Sequence, residues 1–138
     1  MLFRSRTLDL GDKFRLQVND APLGGFGVVA ITVLQEKPVW RALITTVSAA
    51  ENTGWNLRDL GEGRITLGNQ WGDAPTRVAV PTATLTLPYP AARVRVWALG
   101  EDGKRARAIQ PTAVGKDRAA IELSPQHRTI WYEVEVRG

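Results

Sequence analysis

Two tryptophans, Trp55 and Trp71, sit in a stretch crowded with amides, carboxylates and glycines. The flanking runs are Glu51-Asn52-Thr53-Gly54-Trp55-Asn56 and Gly68-Asn69-Gln70-Trp71-Gly72-Asp73. An indole offers a flat apolar face that can stack on the apolar face of a pyranose ring. Amides and carboxylates beside it can bond the sugar hydroxyls. Asn52, Asn56, Asn69, Gln70 and Asp73 are therefore the candidate hydroxyl partners, with Trp55 and Trp71 as the platform. The same residues also fit a purely structural role. In that case the rings would plug one end of the fold, and the amides would satisfy backbone groups in turns. The residue types leave both readings open.

Glycoside hydrolysis would need two carboxyl groups about 5–9.5 Å apart, one with a raised pKa. Glu51, Asp59, Glu62 and Asp73 share this window, and Glu51 and Asp73 are the candidate pair. Their spacing does not single them out, and loop carboxylates are usually solvated. Other chemistries lack their residues. There is no cysteine, so disulfides, thiolate catalysis and cysteine metal sites are excluded. The single histidine, His127, follows Ser-Pro-Gln in a predicted surface turn and cannot make a zinc site alone. No Gly-x-Ser-x-Gly elbow occurs. Gly24-Gly25-Phe26-Gly27 lacks the Gly-Lys-Ser/Thr ending of a phosphate loop. No cofactor is expected. A structural calcium held by loop oxygens is compatible with such a fold, although no EF-hand spacing supports it.

The elements that must position these residues read as strands. Period-two alternation marks residues 13–19, with Phe14, Leu16 and Val18 on one face. Gly11-Asp12 would turn into it from Thr7–Leu10. Val28–Leu34 is more continuously apolar, which predicts a central strand covered on both faces. Glu36-Lys37-Pro38 is a turn before a long strand in 39–49, which contains Trp40 as a core residue. Residues 50–75 break the pattern, with only 64–67 reading as a short strand. Strands follow at 76–80, 82–87, 93–99, 105–110, 118–123 and 129–137, joined by turn residues such as Asp102-Gly103. Alternation puts Trp97 and Trp131 on the polar sides of their strands. There they mark a second platform or a docking interface, or lie buried beneath a covering loop. Arg and Glu can face one another across such strands. No segment has helical periodicity.

The predicted fold is all-β: one antiparallel β-sandwich over residues 1–138, jelly-roll or immunoglobulin-like, with eight or nine strands. A chain of 138 residues is one domain long. Its 43% hydrophobic and 23% charged content suits a globular protein, and no apolar run reaches membrane-spanning length. The net charge is +4, and fourteen of eighteen basic residues are arginine. They are spread from Arg4 to Arg137 rather than clustered, which argues against nucleic acid as a partner. The first residues carry no signal peptide. Leu8, Leu10 and Phe14 already read as mid-sandwich strands, which favours a fragment of a longer chain.

From about Ala50 onward the chain resembles the C-terminal β-sandwich that follows the catalytic domain in some bacterial glycoside hydrolases. The likeness is carried by Glu51-Asn52-Thr53-Gly54-Trp55, by Gly68-Asn69-Gln70-Trp71-Gly72 with Pro75-Thr76, and by Val94-Arg95-Val96-Trp97-Ala98-Leu99 with Asp102-Gly103-Lys104-Arg105. Thr129-Ile130-Trp131-Tyr132-Glu133-Val134 completes it. It covers roughly 60% of the chain. The resemblance implies a non-catalytic accessory domain of a secreted polysaccharide-active enzyme, extracellular or periplasmic in its parent. Its expected partners are a polysaccharide or oligosaccharide and the catalytic domain of that parent, with neither nucleic acid nor membrane. The alternatives are a small free-standing glycoside hydrolase using the loop carboxylates, and a structural interaction domain. No catalytic barrel precedes the sandwich in this sequence, which departs from the family's arrangement.

Overall fold

The computed structural model describes residues 6–11, 13–22 and 26–138. Asp12 of the first predicted turn and Gly24-Gly25 lie outside the described residues. Two five-stranded antiparallel sheets pack face to face. The first contains β1 (Arg6–Leu10), β2 (Phe14–Asp20), β9 (Thr82–Leu87), β13 (Arg118–Leu123) and β12 (Thr112–Val114), in the order β1-β2-β9-β13-β12. The second runs β11-β10-β14-β4-β3, from β11 (Arg105–Ile109), β10 (Val94–Leu99), β14 (Trp131–Val136), β4 (Trp40–Val47) and β3 (Val28–Gln35). The prediction of an all-β sandwich holds.

Alternation builds the core. Ala83, Leu85 and Leu87 of β9 point inward beside Ala119, Ile121 and Leu123 of β13. Opposite them lie Val94, Val96 and Ala98 of β10, and Tyr132, Val134 and Val136 of β14. Leu16 and Ile44 join the same cluster, with Phe14 and Val18 packed at its margin. Trp40 belongs to this core, as expected. Its ring stacks with Phe14 at 6.1 Å and lies 5.8 Å from Tyr89. Phenylalanine could not replace Tyr132 without loss: its hydroxyl accepts from Ser124 N and lies 3.1 Å from His127 Nδ1. His127 is thus half-buried against Tyr132 rather than a free surface residue.

Three expectations change. Among the described residues the strands number fourteen: ten in the two sheets and four in smaller ribbons. β3 is an edge strand, not a central one. A largely apolar run predicts two covered faces, yet Val28, Val33 and Leu34 are exposed, Leu34 at 57%, and the register slips between Val33 and Gln35. Residues 50–75 are not mainly loop. They contain most of an arm made of β5 (Ala49–Thr53), β6 (Arg58–Gly61), β7 (Arg64–Thr66) and β8 (Asp73–Ala79). β5 pairs only with β8, and β6 only with β7. Neither ribbon packs a face on the core, so neither imprints alternation on its sequence.

Leu85 is fully buried between the sheets. Leu85→Ala should lower unfolding stability by about 2–5 kcal/mol, whereas Trp71→Ala, on the exposed arm, should stay within about 0.5 kcal/mol. Urea denaturation of both variants checks the contrast.

Candidate functional site

The arm begins and ends at one neck. Ser48 N donates to Ala79 O at 2.8 Å, and the Ser48 hydroxyl donates to Pro22 O at 3.0 Å and to Phe26 O. Above the neck, Glu51 faces Arg77 across the ribbon and accepts from its guanidinium at 2.8 Å. Beyond that the two segments holding Trp55 and Trp71 are tied together. Asn52 Nδ2 donates to Trp71 O at 3.2 Å, and Asn52 Oδ1 accepts from Thr76 Oγ1 at 3.0 Å. Asn56 N donates to Gln70 O at 3.2 Å. The close approach demands glycine at 72. With φ at 67°, a Cβ there would sit 2.6 Å from Trp55 N and press on Thr53 O.

The sequence-predicted sugar residues therefore converge in backbone but divide in role. Asn52 is committed to holding the arm together. Asn56, Asn69, Gln70 and Asp73 are exposed and make no side-chain hydrogen bond among the described residues. Trp71 is 61% exposed, while Trp55 is half-buried. Their rings are not in contact with each other. Trp71, the more exposed ring, can stack on a sugar face. Glu51 is engaged with Arg77, and Asp73 is exposed at the start of β8. Neither lies in an apolar enclosure of the sort that raises a catalytic carboxyl. Among the described residues no three of His, Asp and Glu gather as metal ligands.

The tip of the arm is exposed and carries aliphatic side chains among charged ones. Every residue from 56 to 65 is exposed, including Leu57, Leu60 and Ile65, the last at 64%. Two-stranded ribbons are marginally stable alone, and exposed aliphatic side chains on one gain if another surface covers them.

The second predicted pair lies on the outer face of the β3–β11 sheet. Trp97 faces Glu133 across the ladder, and Arg95 faces Glu135. Glu133 is buried, yet Arg105 binds it through Nε at 2.8 Å and Nη2 at 2.7 Å, and Arg41 binds it from the other side. Arg105 also reaches Glu135 at 3.2 Å, and Arg137 binds Glu135 at 2.6 Å. The Arg105 guanidinium lies 3.7 Å from the centre of the Trp97 ring. Alternation predicted that Trp97 and Trp131 turn away from the core, and both do, each half-buried. Arg105 was missed because it lies beyond the Asp-Gly turn, where a register shift brings it back onto β10.

Comparison with protein-family models, curated proteins and solved structures returns no match. No described helix is long and apolar enough to cross a membrane.

Arg105, and then Arg41, hold the Glu133 carboxyl at about 2, against an ordinary 4.5, with burial working the other way. The folded state thus binds fewer protons than the unfolded state between these values, so stability rises with pH there. Stability of the native protein should fall as pH drops from 4.5 towards 2, and Glu133→Gln should flatten that limb. Denaturation midpoints measured across this range test it; identical slopes would remove the network as a source of acid sensitivity.

Proposed function

We propose that this chain is a non-catalytic, carbohydrate-associated β-sandwich that works beside a glycoside hydrolase catalytic domain. The observation that carries the reading is the arm. It presents an exposed indole ringed by free amides, next to an exposed aliphatic tip. Trp71 with Asn56, Asn69 and Gln70 suits a glycan chain. Leu57, Leu60 and Ile65 suit another protein surface, because aliphatic side chains gain most when protein covers them. An accessory role accommodates both, with the tip docked on the catalytic domain and Trp71 beside the polysaccharide it works on.

The glycosidase alternative draws less support. Glu51 is occupied by Arg77, and Asp73 is solvated on the ribbon's end.

Affinity electrophoresis through gels of β-linked polysaccharides tests the reading. At least one gel should retard the protein in the millimolar to micromolar range, and Trp71→Ala should abolish the retardation without changing the unfolding midpoint. Ile65→Asp should leave sugar retention intact and weaken binding to the partner catalytic domain at least tenfold. Release of reducing sugar by the purified chain, lost in Glu51→Gln or Asp73→Asn, would instead promote the enzyme reading.

A further inference from the structure

A cavity of about 650 Å³ lies where the base of the arm meets the sandwich. Val78 and Val80 form the arm side, and Leu99 and Glu101 come from the β10–β11 hairpin. Arg128 comes from the turn before β14, and Trp131 is the first residue of β14. The volume falls within the range of small-ligand sites, about 300–1,000 Å³. Among the described residues Trp131 is the only aromatic lining it, although its strand alternation assigns it to a polar face.

Two charged side chains at this cavity are idle. Neither Glu101 nor Arg128 makes a side-chain hydrogen bond or ion pair among the described residues, and both are exposed. Arg128 also adopts φ 53°, the left-handed region, at the end of the Pro125–His127 turn. That conformation caps the turn, with Arg128 N donating to Pro125 O at 3.0 Å, and it costs a non-glycine residue about 1–3 kcal/mol. Apolar walls, one indole, one acceptor-only carboxylate and one donor-only guanidinium make a particular combination. It complements a ring with an apolar face, hydroxyls that can donate and oxygens that can accept. An apolar ligand would leave both charges unanswered, and a purely ionic one would waste the walls.

We propose that this cavity is a saccharide subsite that takes a pyranose unit of a β-linked glycan, with its apolar face against Trp131. The Glu101 carboxylate accepts from hydroxyls, and the Arg128 guanidinium donates to ring or linkage oxygens. The subsite rests on the carbohydrate-associated reading above and adds a second contact point to it. β8 carries the chain from the Trp71 turn down to Val78, a reach of at most about 23 Å at ~3.3 Å per residue. A polymer can touch both points, whereas a single sugar touches one.

The test is affinity electrophoresis of the whole chain through gels containing soluble mixed-linkage β-glucan, xylan or galactomannan. Arg128→Gly keeps the left-handed backbone without its cost, and Glu101→Gln changes only an exposed carboxylate, so both variants should fold. Each should lose at least fivefold in affinity on whichever gel retards the native protein, with unfolding midpoints no lower than native. Full retention by both variants, with loss only in Trp71→Ala, would overturn the subsite and leave the carbohydrate reading standing. A native protein retarded by none of the three gels would overturn both.

Discussion

β14 is the strand on which the sandwich turns, and it is covered on both sides. Tyr132, Val134 and Val136 face the core, while Glu133 and Glu135 are buried on the opposite face. Two buried carboxylates on neighbouring outward positions would be untenable alone. Arg41 from β4 and Arg105 from the start of β11 make them tenable by spanning the strand from both flanks. The pairing ties β14 to its neighbour β4 and, across β10, to β11, and so reinforces the register of the sheet. It also explains Trp97, whose ring receives the apolar side of the Arg105 guanidinium and helps seal the carboxylates from water.

The arm follows a different logic. It connects a strand of one sheet, β4, with a strand of the other, β9, and its own two ribbons pair only internally. Its order comes from side-chain-to-backbone bonds at Asn52 and Thr53 and from the tight crossing at Gly72. These interactions fix backbone geometry and leave Trp71, the amides and the tip facing outward. A surface built that way is available for contact without weakening the core beneath it.

The sandwich was largely legible in the sequence because burial on one face imposes period two. Thr82–Leu87 and the hairpin around Asp102-Gly103 stand in the structure where the alternation puts them. The arm was not legible, since strands with no buried face carry no such pattern, and its glycines and asparagines read as loop. β3 misled in the opposite direction: apolar residues at an edge look the same in sequence as apolar residues at a centre. Of the candidate site, the residues were visible but their roles were not. Nothing in Asn52 tells that both ends of its amide are spent on the arm, or that Trp55 is less free than Trp71. Arg128 and Glu101 carried no signal at all, because a cavity assembled from three distant segments exists only once the chain is folded.

The bond from Ser48 to Ala79 at the neck has one more consequence. It closes the arm where it leaves the sandwich, so the two sheets meet the same pair of ends whatever lies between them. Closing a longer loop costs little more than closing a short one. The segment between those ends can therefore lengthen, shorten or exchange its tip over evolutionary time while the sandwich keeps its register. The fold in effect separates a constant frame from a replaceable arm, and new contacts can be acquired by editing one insertion rather than by redesigning a core.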